Sequence, residues 1–258
     1  MSDIYPSHFE RSRIAYALPY TSFFIFKKWV DKFFAVCYNY STMDDTDAIK
    51  IDANELLALL RTKFPDAKCE LNYSTPFELL VAVILSAQCT DKRVNAVTPA
   101  LFAFCSTPFE MAKLTENDII PYIKSCGFYN NKAKSIIACS KVLVEKYGGV
   151  VPSDRNELQK LAGVGRKTAN VVYAEAFGGN AIAVDTHVSR VSERLGLSSV
   201  RTPEIVEKEL NAFLPYENWS EAHHLLIFLG RYVCKAMKPN CGECNLTRVC
   251  KYYRTKSK

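Results

Sequence analysis

The chain has 258 residues, 48% of them hydrophobic, enough to bury a sizeable core in one large domain or two small ones. No apolar run reaches the roughly 18 residues expected of a membrane span; the nearest, Leu18 to Phe26, is followed at once by Lys27 and Lys28. A net charge of +6 suits a polyanionic partner but equally an ordinary solvated basic surface, so particular residues must decide.

In chain order, residues 1–42 stand apart, holding 12 of the 31 aromatic residues without helical periodicity or capping signals. Residues 1–48 read as an appended extension, with Met43 as an alternative start. A mitochondrial targeting segment is the rival reading, weakened by few arginines and by Asp3, Glu10 and Asp31.

From Asp52 onward the pattern is all α. Thr75-Pro76-Phe77-Glu78 is a capping box that opens the apolar run Leu79 to Ala87, and Thr107-Pro108-Phe109-Glu110 repeats it. Helices are predicted over 117–126, ended by Gly127, and over 132–147, ended by Gly148-Gly149. Asp154 with Glu157, and Thr202-Pro203-Glu204, mark later starts, and 219–232 makes a last long helix.

Ten cysteines in a chain of this size, with no recognisable signal peptide, point to a reducing compartment rather than to disulfides. Cys37, Cys69, Cys89, Cys105, Cys126 and Cys139 are scattered among apolar neighbours and read as small buried hydrophobes. Cys234, Cys241, Cys244 and Cys250 instead fall within 17 residues as C-x6-C-x2-C-x5-C, a spacing that brings four thiolates to one metal centre. Zinc and an iron-sulfur cubane both accept that set, and spacing does not choose between them. Lys235, Lys238, Arg248, Lys251 and Arg254 lie among these cysteines, where they either follow a phosphate backbone or keep an exposed tail soluble.

Leu161-Ala162-Gly163-Val164-Gly165-Arg166-Lys167-Thr168-Ala169 joins two helical patterns. Glycines there form a tight turn that presents backbone N–H groups at a helix start, a geometry that holds phosphate, although such turns are also plain connections. Lys167 falls in the first turn of the second helix, where the macrodipole disfavours an ammonium and so helps to supply free amine. An amine can form a Schiff base with a sugar carbon of aldehyde character; the plainer role is a phosphate contact. Asp185, in Val184-Asp185-Thr186-His187, reads as an N-cap, as a carboxylate assisting glycosidic cleavage, or as both.

With these residues the chain closely resembles the endonuclease III family of helix-hairpin-helix DNA glycosylases. The likeness runs from about Glu70 to Tyr253 through Pro76-Phe77-Glu78-Leu79-Leu80, Ser86-Ala87-Gln88, Gly163 to Asn170, Val184 to His187, Gly230-Arg231-Tyr232 and the four spaced cysteines. It implies a six-helix barrel over 70–179 with its hairpin motif at about 154–175. Against this would pack a second helical domain, 49–69 plus 180–258, carrying a [4Fe-4S] cluster in loop 234–250, with the damaged nucleotide flipped into the cleft between. It also implies catalytic roles for Lys167 and Asp185, and DNA contacts from Gln88, Phe128, Gly163, Val164, Gly165, Arg166, Thr168, His187, Lys235 and Lys238. Without it, Gln88 reads as a helix-end polar group and Phe128 as core.

Three positions depart from the family pattern: Ala162 stands for a usual proline, Phe128 for leucine, and Cys89 for a smaller or hydroxyl residue. The expected function is a bifunctional glycosylase and abasic-site lyase for oxidised pyrimidines. Its substrate would be double-stranded DNA containing damaged bases or abasic sites, bound by a monomer in the cytoplasm and, in a prokaryote, at the nucleoid. Monofunctional mismatch or adenine glycosylases lack a lysine at the nucleophile position, so Lys167 argues against that class; a DNA-binding or redox-sensing module without chemistry is the third reading.

Overall fold

The structure, a computed structural model, describes residues 51–256. The expectations for the N-terminal extension and for Met43 as a start fall outside those residues. Every regular element within them is helical.

Helix α1 (Ala53–Lys63) starts at Asp52, whose side chain accepts from the backbone N–H of Asn54 and Glu55. Helix α2 (Pro76–Ser86) is capped by Thr75, but the box predicted there is only half formed. The Glu78 carboxylate reaches past Thr75 to the N–H of Ser74 at 2.6 Å. Every residue from Phe77 to Leu85 is buried, which makes α2 the central rod of its domain. It packs against α3 (Asp91–Phe104), α6 (Tyr129–Tyr147) and α8 (Arg166–Phe177). Between them run α4 (Pro108–Met111), with its full capping box at Thr107 and Glu110, α5 (Glu116–Ile123) and α7 (Arg155–Gln159), started by Asp154. Then follow α9 (Thr186–Leu195), α10 (Pro203–Phe213), α11 (Trp219–Phe228) and α12 (Lys251–Lys256).

Buried apolar side chains fall into two clusters. One spans Leu71 to Val172 and is enclosed by α2 to α8, six of them longer than the single turn of α4. The other joins Ile51 to Leu60 of the α1 region to Ile182 to Cys250.

Three predicted boundaries need correction. The helix expected over 117–126 ends at Ile123, and Gly127 has no left-handed backbone; it is Phe128 that turns the chain, at φ 57°. Since Phe128 is also the N-cap of α6, that helix begins at Tyr129 rather than Lys132, and Gly148 ends it as expected at φ 59°. The helix expected over 219–232 is α-helical only to Phe228 and widens into a π turn, Leu229–Val233.

Candidate active site

The hairpin between α7 and α8 is held from below by Val164, buried among the core side chains. Gly163 sits at φ +78°, and a Cβ there would lie 2.7 Å from the Cβ of Ser135, so backbone and packing both demand glycine. Gly165 does something different. It is the N-cap of α8 in ordinary extended backbone, and a Cβ on it would meet nothing described within 4 Å. No side chain caps the helix, which leaves its first turn without a capping acceptor, as an anion site requires.

Lys167, exposed at the second position of α8, and Asp185 line one cleft of about 1470 Å³. Asp185 arrives at the end of the buried extended segment Ala181 to Val184 and caps α9. Its Oδ1 accepts from the N–H of His187 and of Val188, both at 2.8 Å. Both bonds fall on one oxygen, so the cap engages Oδ1 and not Oδ2 of this cleft-lining residue.

Asn170 holds the lysine helix to the aspartate segment, a link sequence reasoning missed. Its buried amide donates to the carbonyl of Ile182 at 2.9 Å and to Glu207 at 3.3 Å. Glu207, buried on α10, takes both arms of Arg166 at 2.7 and 2.9 Å, which raises the guanidinium pKa further. Arg166 is therefore a tether between α8 and α10 before it is anything else. A glutamate inside the apolar stripe of α10 was the available clue. Thr168 lies half-buried in the first turn of α8.

Gln88 and Phe128 occupy two adjoining turns, each with left-handed backbone, at φ 54° and 57°. The core placement of Phe128 is overturned: the residue is 69% exposed. Lys132, buried on α6, donates from Nζ to the carbonyl of Leu85 at 2.8 Å and so caps the end of α2 just before the Gln88 turn. Burial lowers its pKa. A lysine one helical turn before Ile136 on a buried stripe was the sequence signal. Arg231 closes the far wall, pairing with Asp91 at 2.7 Å and with Glu70, which also accepts from Tyr232 Oη at 2.6 Å.

Two buried arginines one turn apart on α9 organise the cysteine loop. Arg190 donates to the carbonyls of Cys234 at 3.1 Å and Gly230 at 2.8 Å, and its Nη2 lies 3.2 Å from Nδ1 of the half-buried His187. A Cβ on Gly230 would lie 2.8 Å from His187 Cβ, so glycine permits this approach. Arg194 donates to the carbonyls of Lys235 at 2.7 Å and Ala236 at 2.9 Å and to Sγ of Cys234 at 3.3 Å. Cys234, Cys241, Cys244 and Cys250 all line one small cavity, and burial raises the thiol pKa of Cys244 and Cys250. Among the described residues, no three His, Cys, Asp or Glu side chains stand close enough to hold a single ion. Lys235 and Lys238 are exposed on this loop, whereas Arg248 is paired with Glu55 at 2.6 Å.

Comparison with known proteins agrees with this geometry. The profile described as HhH-GPD superfamily base excision DNA repair protein matches residues 81–215, just over half of the chain, and the helix-hairpin-helix of α7 and α8 lies inside it. The class is thus a base excision repair protein built on a helix-hairpin-helix.

Endonuclease III of Bacillus subtilis is 55% identical over 189 residues, covering 73% of this chain and 86% of its own. That of Escherichia coli K12 is 47% identical over 77% of this chain and 94% of its own. A solved trapped covalent intermediate of endonuclease III with DNA superposes with a TM-score of 0.76 at 47% identity, over 81% of this chain and 100% of that one. The chain belongs to the endonuclease III family of the HhH-GPD superfamily, whose members are DNA glycosylases with abasic-site lyase activity.

Proposed function

We propose that Lys167 is the nucleophile of a bifunctional glycosylase that removes oxidised pyrimidines and then cuts the strand. The observation that carries this reading is the placement of Lys167 and Asp185 in one open cleft, beside the uncapped N-terminus of α8. A phosphate seated on that N-terminus positions the flipped nucleotide. Unprotonated Lys167 Nζ attacks C1′ as the base departs, and Oδ2 of Asp185 stabilises the positive charge that develops on the sugar. Ring opening leaves an iminium between C1′ and Nζ; loss of a C2′ proton then expels the 3′ phosphate, and water releases the lysine.

Gln88 and Phe128 would contact the opened duplex, Gln88 at the gap and the exposed ring of Phe128 against the opposite strand. Gly163, Val164, Gly165, Thr168 and His187 would carry or shape phosphate contacts, with Lys235 and Lys238 following the backbone further along. Cys234, Cys241, Cys244 and Cys250 would hold a [4Fe-4S] cluster. Four thiols around one cavity fit such a group, and Arg194 beside Cys234 would complement its negative charge. Such a cluster would supply a rigid base for the Lys235–Lys238 loop. No described helix is long and apolar enough to cross a membrane; a monomer acting on double-stranded DNA in the cytoplasm completes the proposal. The domains would be 70–179, and 49–69 with 180–258, in line with the two buried clusters.

The test uses a duplex carrying one oxidised pyrimidine. Lys167→Ala should abolish nicking while binding stays within a few-fold, and borohydride should trap a covalent adduct with the unaltered protein alone. A variant that nicks as fast as the original would remove Lys167 from the chemistry. Visible absorption of the purified protein distinguishes an iron-sulfur group from colourless zinc.

A further inference from the structure

Two cysteines outside the C-terminal four touch each other. Cys126, fully buried in the turn after α5, lies beside Cys89, and burial together with that neighbour raises its thiol pKa. Cys89 is half-buried in the turn after α2 and lines the cleft, so small solutes reach it while its partner stays covered. The surrounding backbone is already close: a Cβ on Gly127 would lie 3.4 Å from the carbonyl oxygen of Gln88. The Lys132 ammonium, fixed by its bond to Leu85, attracts negative charge on either sulfur. Each cysteine also adjoins a left-handed residue other than glycine, Gln88 beside Cys89 and Phe128 two residues beyond Cys126. Of these two turns, the one with Gln88 and Cys89 lines the cleft.

We infer that Cys89 and Cys126 form a peroxide-sensitive modification site, at which oxidation to a disulfide clamps the Gln88 turn to the Phe128 turn and slows strand cleavage. The oxidant is hydrogen peroxide. The Cys89 thiolate attacks one peroxide oxygen, the O–O bond breaks, and hydroxide leaves to be protonated as water, giving a sulfenic acid. The Cys126 sulfur then displaces the sulfenic hydroxyl, and its thiol proton leaves with that group as a second water. Each sulfur gives up one electron, and the peroxide gains two. Burial pushes the Cys126 thiol up to about 11, which suits a resolving partner better than the first attacker. A closed bond denies the two turns the independent adjustment that entry of a duplex requires; a misplacement of about 1 Å near reacting groups costs up to about 100-fold in rate.

The effect on cleavage rests on the function proposed above; the bond itself does not. The full-length protein with its metal group, treated with stoichiometric peroxide and digested without reductant, should yield a Cys89–Cys126 cross-linked peptide by mass. Nicking should slow by about tenfold and recover with a thiol reductant. Cys126→Ser should nick like the unaltered protein and not slow with peroxide, with visible absorption of the metal group equal in both; Cys126→Ala replaces it should the serine fail to fold. Absence of that linkage overturns the inference, as does a cross-linked protein that nicks normally or equal slowing of the Cys126 variant. A fully reduced protein that never nicks would instead overturn the reading of Lys167, with the linkage still measurable.

Discussion

Asp185 caps α9 through Oδ1 and also lines the cleft, and one substitution separates the capping role from the proposed chemical one. Asparagine caps a helix about as well as aspartate, because its side-chain oxygen accepts the same two N–H bonds. Asp185→Asn should therefore unfold within about 0.5 kcal/mol of the original in a urea titration. In the role proposed for Asp185 the variant loses only the negative charge that would stabilise the sugar, so the base-excision rate should fall by about 100-fold or more in single-turnover assays. Equal rates would reduce Asp185 to its capping role. Loss of stability in parallel with rate would mean that the cap, and not the charge, accounts for the defect.

At the level of elements, α9 connects the two candidate sites: Asp185 caps its start, and Arg190 and Arg194 pin the cysteine loop near its end. Replacing Arg194 with methionine keeps much of its volume but strands the carbonyls of Lys235 and Ala236, which now accept a charged donor at 2.7 and 2.9 Å. Hydrogen bonds to charged groups contribute about 1.5–3 kcal/mol each, so a loss of about 3 kcal/mol is expected. That lowers Tm by roughly 6–12 °C for a domain of this size. If the proposed cluster is bound, its visible absorption should also bleach faster on standing in air. An unchanged Tm would show that the loop is held by its cysteines alone.

Much of this arrangement is legible in the sequence because it is local. Capping residues, the glycine turn and the four-cysteine spacing each fix a stretch of a few residues, and the structure places helix starts at Asp52, Thr75, Thr107, Asp154 and Asp185. The misses are non-local. Nothing near Phe128 announces that a large aromatic ring takes the left-handed turn position beside a glycine and stays exposed. Asn170 to Ile182, Arg166 to Glu207 and Lys132 to Leu85 likewise join residues 12 to 47 apart. The wall formed by Arg231, Glu70 and Asp91 spans 161 residues. Periodicity marks such polar residues as lying on buried stripes, but only the folded packing supplies their partners.

Across the whole molecule the same interior polar groups set the response to acid. His223, on α11, is 4% exposed with no hydrogen-bond partner for Nδ1 in the structure. Burial first, then the charges of His224, Lys167 and Arg231, hold its pKa well below 6.5. In the unfolded chain the same imidazole takes up a proton near 6.5. Between the two values the unfolded state binds a proton that the folded state refuses, so stability falls as pH drops below about 6.5 and continues to fall until the folded pKa is reached. Carboxylates whose pKa is lowered in the fold, such as Glu221 by Arg61, lose their contribution only at lower pH, below about 4.5. Thermal unfolding should therefore show Tm declining from pH 7 to pH 5, and His223→Gln, a polar side chain without a titration, should flatten that decline while its Tm at pH 7 changes less. A decline of equal slope in both proteins would place the acid sensitivity elsewhere.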